Sequence, residues 1–496
     1  MSNRFAGVGP NLNWQLIVPV VCGALLAVGV GLLASFAVAV GSGEGATPAF
    51  GVTAAAVIPL SVVGVMSGRR LRSVPLRARD GFFAVAAAWV AAAAVGAVPF
   101  LIEGTFDRPL DAFFESMSGF TTTGATLIDD VTAQPDAILF WRSISQWLGG
   151  VGIVVLVVAI APATGLATQR VFYAETSGVT AERLTPRIAD TAKILWGIYL
   201  VLTAAGFLAY LLAGMGPFDA INHIFTTLAT GGFSTQTASI AAFDSLAIEL
   251  VAIFFMAVAG VNFAFYWRAM RGPTIWPQAA EVRLYLAILL ASIGIVTVSL
   301  ALNDQPGGIW QNLRESAFSV TTVMTNTGYT TVDFDAFNDY ARSQLLLLMF
   351  VGGCAGSTAG GIKVIRVLLL GKTAGQEIQR QLRPKAVQVL RTRGRVFSED
   401  VRRGVLGFFY IYVAVAIVGT LAMLATGLDG LSALSSVAAT LNLVGPGLGE
   451  VGATDNYAAV SDGGRAILTL LMLAGRLEVF TVLVLLTPAF WRPSTA

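Results

Sequence analysis

The chain has 496 residues, of which 55% are hydrophobic and 12% charged, with a formal net charge of +2. Soluble domains carry roughly 25% charged residues, so this chain lacks the charge to coat a water-facing surface of its length. The balance excludes an ordinary soluble domain, offers no basic surplus for nucleic acid, and points to an all-α integral membrane protein.

Crossing a bilayer as helix takes about 20 apolar residues. Runs of that kind predict spans near 14–40, 50–67, 81–103, 134–160, 190–214, 246–270, 281–302, 342–370, 402–426 and 464–490. The first run is too long for the apolar core of a cleavable signal and has only Arg4 before it, so it reads as a retained helix. Cys22 and Cys354 lie in apolar or glycine-rich surroundings and read as packing residues. Basic residues gather in alternate loops: Arg69 to Arg79; Arg170, Arg183 and Arg187; Arg268 and Arg271; and Lys372 to Arg403. The positive-inside rule makes that side cytoplasmic, with both termini inside. The opposite loops hold Asp107, Asp129, Asp130, Asp304, Asp333, Asp335, Glu450 and Asp455. These acids either concentrate cations at a mouth or reflect only the exclusion of Lys and Arg from external loops.

Four external connections are too long and too apolar to be plain turns. They read FFESMSGFTTTGATL from Phe113, INHIFTTLATGGFST from Ile221, SAFSVTTVMTNTGYTT from Ser316 and LSSVAATLNLVGPGLG from Leu434. Each is a short apolar helix rich in Ser, Thr or Ala, followed by an extended piece with a pivotal glycine: Gly124, Gly232, Gly328 or Gly445. The pivots are 108, 96 and 117 residues apart, an internal repeat of two spans with a re-entrant hairpin between them. Repeats are expected at 69–170, 171–272, 273–398 and 399–496, after a two-helix extension at 1–68. Two spans restore the starting side, so all four hairpins enter alike, as a fourfold pseudo-axis requires.

Non-helical backbone inside a bilayer persists only where protein buries it or water meets it. Four such strands on one axis could replace the hydration shell of a cation with carbonyl oxygens, as the TVGYG filters of potassium channels do. The corresponding segments are Thr122-Thr123-Gly124, Thr230-Gly231-Gly232, Asn326-Thr327-Gly328 and Leu443-Val444-Gly445. Each preceding helix would aim its negative end at the ion. Leu443 stands where the others have Thr or Asn, which leaves side-chain coordination three-sided.

The eighth span is interrupted by Gly352, Gly353, Cys354, Ala355, Gly356, Ser357, Thr358, Ala359, Gly360 and Gly361. Five glycines in ten residues predict a loop within the membrane that could obstruct the path. Close helix packing through small residues accounts for only two or three of them. Arg476 in the tenth span either faces the pore and repels cations, or it pairs with Glu478 or lies close to the inner interface. Lys363 and Arg366 read as cytoplasmic anchors, and His223 as a satisfied residue of the outer face.

The strings SMSGFTTTGAT, TTLATGGFST, TTVMTNTGYT and LVGPGLG, with QWLGGVGI and GGCAGSTAGGIKVIR, resemble the Trk/Ktr/HKT superfamily of potassium transporters, most nearly its bacterial TrkH branch. The resemblance covers residues 81–490. It implies four fused repeats, a homodimer, and potassium uptake across the inner membrane without a covalent cofactor. It also implies Gly124, Gly232, Gly328 and Gly445 as filter glycines, residues 352–361 as a gating loop, and Arg476 as a pore arginine. A separate cytosolic ring of nucleotide-binding, TrkA-like regulatory subunits is implied too, with Lys372 to Arg403 either its docking surface or simply solvated charge. Beside this channel-like reading stands a symporter coupled to sodium or protons, against which the scarcity of acids in the spans argues. No HExxH motif, facing aspartate pair or partner for His223 suggests an enzyme.

Overall fold

A computed structural model of the chain describes residues 12–43, 45–68, 78–164, 188–270, 272, 279–303, 307–384, 391–392 and 395–491, with side chains at 78, 153–164, 188–191, 391–392 and 395–396 left out. Most of the basic loop residues on which the orientation rests, and Asp304, lie outside the described residues.

Helices dominate. α1 (Trp14–Ser42) and α2 (Thr47–Ser67) form a hairpin, both helices of which pack on the first repeat. The repeats follow in the order long helix, short helix, long helix: α3 (Ala78–Glu103), α4 (Pro109–Thr121) and α5 (Asp136–Thr164). The second has α6 (Ile188–Leu212), α7 (Pro217–Leu228), α8 (Leu246–Ala259) and α9 (Phe263–Ala269). The third has α10 (Ala280–Leu302), α11 (Gly308–Met324), α12 (Asp339–Val351) and α13 (Val364–Leu382). The fourth has α14 (Glu399–Ala425), α15 (Gly430–Leu441), α16 (Asp462–Arg476) and α17 (Phe480–Leu486), with a last turn at Pro488–Trp491. The strands among the described residues are a two-residue pair, Arg391–Thr392 with Arg395–Val396. All ten expected spans have helices.

Three of them are broken. The glycine-rich interruption was expected, but the sixth and tenth spans were read as continuous. The chain bends by 90° between α8 and α9 and by 118° between α16 and α17. At the first break Asn262 caps α9, its side chain accepting from the N–H of Ala264. At the second, Glu478 and Val479 take positive φ values of 57° and 35° with no glycine to ease them.

The short helices are built for burial. Pro109 and Pro217 occupy first-turn positions where a missing N–H costs nothing, and Asp429 caps α15 by accepting from Leu431 and Ser432. Their hydroxyls bond back one turn: Thr121 to the Met117 carbonyl at 2.6 Å, Thr227 to His223 at 2.6 Å, Thr440 to Ser436 at 2.7 Å. These three hydroxyls thus find acceptors within their own helices, whereas the buried hydroxyls of Ser116, Ser118, Ser316, Thr321 and Thr322 meet no acceptor among the described residues.

The closing helix of each repeat packs against the short helix of the next: α5 on α7, α8 on α11, α12 on α15 and α16 on α4. The last of these returns to the first repeat, so the four close into a ring. Hydrogen bonds between consecutive repeats follow the same order. Thr237 bonds Asp130, Ala241 bonds Thr330, Gly449 bonds Asp335, and Arg465 bonds Asp111.

Candidate functional site

Each short helix ends in the same hydrogen-bond pattern. The N–H groups of Thr123, Gly231, Thr327 and Val444 reach back five residues to Ser118, Thr226, Thr322 and Ala439, at 2.7–2.9 Å. Those of Thr122, Thr230, Asn326 and Leu443 reach back three, to Gly119, Thr227, Val323 and Thr440. This is the Schellman arrangement, which needs one residue in the left-handed region. Those residues are Thr122 (φ 58°), Thr230 (54°), Asn326 (59°) and Leu443 (62°). None is glycine, so each holds backbone strain of order 1 kcal/mol. Sequence reasoning expected that conformation only at the pivots.

Two residues on, Gly124, Gly232, Gly328 and Gly445 have φ of 83°, 77°, 82° and 95°. Between them Thr123, Gly231, Thr327 and Val444 return to ordinary φ, so the sign alternates along each segment. Space is as tight as the torsion is unusual. A Cβ on Gly124 would overlap the carbonyl oxygen of Gly231, one on Gly232 that of Thr327, and one on Gly328 that of Val444. One on Gly445 would meet the Thr123 oxygen at 2.7 Å. The four pivots and the four carbonyls before them therefore form a closed circuit through all four repeats.

Polar buttresses hold this circuit from behind. Glu115 and Arg142, both fully buried, pair at 3.0 Å; Glu115 also accepts from Thr126 and from the N–H of Leu127. Arg142 continues to the carbonyl of Ser234 and lies 4.1 Å over the Phe233 ring. Tyr329 donates to the His223 carbonyl at 2.9 Å. His223 is buried rather than on the outer face. Its Nδ1 donates to the Asp219 carbonyl at 2.8 Å, which leaves Nε2 to accept from Ser234 at 3.0 Å.

The interrupted segment lies beneath the circuit. Its ends are zipped by Ile362 N–H to Phe350, Lys363 to Val351 and Val364 to Gly353. Gly352, Gly356 and Gly361 have positive φ, and Gly353 and Ser357 complete the buried turn. Thr358 Oγ1 donates to the carbonyl of Leu228, at the inner end of α7, at 2.9 Å. Gly360 abuts the carbonyl of Asn442, one residue before Leu443. The segment thus touches the inner ends of the second and fourth hairpins at once. Glu281 holds it from outside the circuit, accepting from the N–H of Ala355 at 2.6 Å and of Ile365 at 3.1 Å.

Arg476 sits at the tip of α16, 2% exposed, and donates to the carbonyls of Thr358 at 3.2 Å and Gly149 at 2.6 Å. It does not pair with Glu478, which instead bonds Arg366 at 2.6 Å. Arg366 is no cytoplasmic anchor: it is 2% exposed, with its guanidinium 4.0 Å over the Phe408 ring. Lys363 likewise turns inward, its Nζ on the Ala359 carbonyl. Glu478 falls in the 118° break between α16 and α17, where its partner is Arg366 and not the Arg476 that ends α16. A cavity of about 50 Å³ lies here, lined by Leu443, Ser357, Gly360, Arg476 and Glu478 among others. Sequence reasoning missed Gln146, Glu281 and Arg366 as site residues; a polar side chain inside an apolar run was the available signal for Gln146 and Arg366, whereas Glu281 stands in the first turn of α10, where an acid is ordinary.

Known proteins share this architecture. A family model described as TrkH, a cation transport protein, matches residues 50–492. The Trk system potassium uptake protein TrkH of Vibrio parahaemolyticus is 43% identical over 426 residues, 84% of this chain and 87% of that protein. TrkG of Escherichia coli, also named a Trk system potassium uptake protein, is 34% identical over 427 residues, 84% of this chain and 87% of that one. The crystal structure of the potassium transporter TrkH from Vibrio parahaemolyticus matches with a TM-score of 0.87 at 40% identity, covering 96% of this chain and 100% of that one. The chain belongs to the TrkH family of cation transport proteins.

Proposed function

We propose that this chain is a potassium-selective, channel-like uptake protein of the bacterial inner membrane, with both termini cytoplasmic. The observation that carries the reading is the circuit of four carbonyls, from Thr123, Gly231, Thr327 and Val444, each against a neighbouring pivot glycine. Such a ring offers a dehydrated cation oxygen ligands from four sides. In this reading Thr122, Thr123, Gly124, Thr230, Gly231, Gly232, Asn326, Thr327, Gly328, Leu443, Val444 and Gly445 form the filter. Potassium is the substrate, and flow follows its gradient and the membrane potential.

Residues 352–361 and Arg476 act as the gate. The loop crosses beneath the ring, and the guanidinium ties it to α5 while opposing cations in the cavity. A cytosolic nucleotide-binding subunit acts on the gate, and two copies of the chain pair in the membrane. The symporter alternative finds no support in the four buried carboxylates among the described residues: Glu115 and Glu249 are paired with arginines, and Asp80 and Glu281 accept backbone N–H groups. Rubidium uptake by proteoliposomes of the purified chain, with sodium and pH varied, tests the proposal. Uptake that follows an imposed potential and ignores sodium and pH gradients is expected. A fixed ratio of sodium or protons moved per potassium overturns the channel reading.

A further inference from the structure

The four carbonyls of the circuit do not have equal surroundings. Gln146, fully buried on α5, extends its amide to the second repeat's segment. Nε2 donates to the carbonyl oxygen of Gly231 at 2.8 Å, and Oε1 accepts from the N–H of Phe233 at 3.1 Å. The amide thus bonds the backbone on both sides of the pivot Gly232. Among the described residues, no hydrogen bond falls on the matching oxygens of Thr123, Thr327 or Val444. The residue type at Gly231 fits the same arrangement. The other repeats carry Thr, Thr and Val there, whereas a Cβ on Gly231 would run into the Gln146 carboxamide. The second repeat has two successive glycines because the first is the space the amide needs.

We infer that Gln146 is a positioning residue for ion selectivity, acting through the Gly231 carbonyl. An oxygen held by a donor cannot follow a smaller ion inward, and part of its negative charge is already engaged. The hydrogen bonds on both sides of Gly232 also resist rotation of its peptide units. Gln146 therefore makes one side of the ring stiffer and a weaker ligand than the other three, a bias against sodium. The inference rests on the filter reading above.

The test is the potassium-to-sodium permeability ratio of the full-length chain in proteoliposomes. Gln146→Met fills the same space without donor or strong acceptor and should lower the ratio roughly five-fold, the worth of one net hydrogen bond, with potassium flux retained. Gln146→Glu at pH 6, where a desolvated carboxyl keeps its proton, can still donate to Gly231 and accept from Phe233, and should hold the wild-type ratio. An unchanged ratio in Gln146→Met overturns the inference. Should that variant fail to fold, a ratio below wild type in Gln146→Glu at pH 6 overturns it. A wild-type chain that does not discriminate potassium from sodium instead refutes the filter reading and takes this inference with it, a result distinct from a selective wild type with a silent methionine variant.

Discussion

Gly232 concentrates the residue-scale argument. Its φ of 77° disfavours any side chain, and a Cβ there would overlap the Thr327 carbonyl of the neighbouring repeat. Gly232→Ser must therefore displace either its own strand or the neighbouring oxygen. The expected result is a potassium-to-sodium permeability ratio reduced about tenfold, since roughly 1–2 kcal/mol of backbone cost falls directly on the ring. Unchanged ion competition in rubidium uptake would contradict this. Sequence reasoning recognised the pivot because only glycine recurs in all four segments. It could not see that Thr122, Thr230, Asn326 and Leu443 are also left-handed, because that demand comes from the helix-ending hydrogen bonds and is met by residues that do not advertise it.

At the scale of elements, the interrupted span is a loop clamped at several points, and each clamp makes a separate prediction. Arg476→Ala removes the tie between Thr358 and Gly149 together with a buried charge, and should raise basal rubidium flux about tenfold or more. Glu281→Ala strands the N–H groups of Ala355 and Ile365, each worth roughly 1–3 kcal/mol if left unpaired. It should raise basal flux several-fold and lower the melting temperature, with the permeability ratio unaltered because the two stranded N–H groups lie outside the circuit of pivots and carbonyls. Flux at the wild-type level in both variants would make the clamps purely structural. The glycine density of 352–361 announced this interruption. The break at Glu478 had no such signal, because Leu477, Glu478 and Val479 are compatible with a helix and are bent by what surrounds them. Asn262, an N-cap residue type after Gly260, was a readable stop within an otherwise apolar run.

For the whole molecule, closure depends on contacts between repeats some hundred residues apart, and the outer rim offers a pH test. Asp335 of the third repeat accepts from the N–H of Gly449 in the fourth and lies 3.4 Å from Arg342. Burial raises its pKa above the ordinary carboxyl value, with Asp333 and Asp455 adding to the rise and the Gly449 N–H and Arg342 opposing it. A carboxyl with a raised folded pKa holds its proton more tightly in the folded state. Stability therefore falls as pH rises above the unfolded value of about 3.9 and is regained on acidification. Asp335→Asn keeps an acceptor for Gly449 and should raise the melting temperature by about 1–2 °C at pH 7, a gain that shrinks toward pH 4. A gain independent of pH would show that ionisation of Asp335 is not its source.

The amino-acid sequence by itself determined the properties that each stretch carries alone. Span lengths follow from bilayer thickness, and the repeat from four hairpins at similar intervals, each with its pivot glycine. Only the tertiary structure decided which carbonyl meets which glycine, that Glu478 pairs with Arg366 and not Arg476, that His223 is buried, and that the sixth and tenth spans bend. Those outcomes are settled by packing between distant repeats, where a neighbour's backbone supplies the partner, and local composition records propensity without recording what a residue will touch.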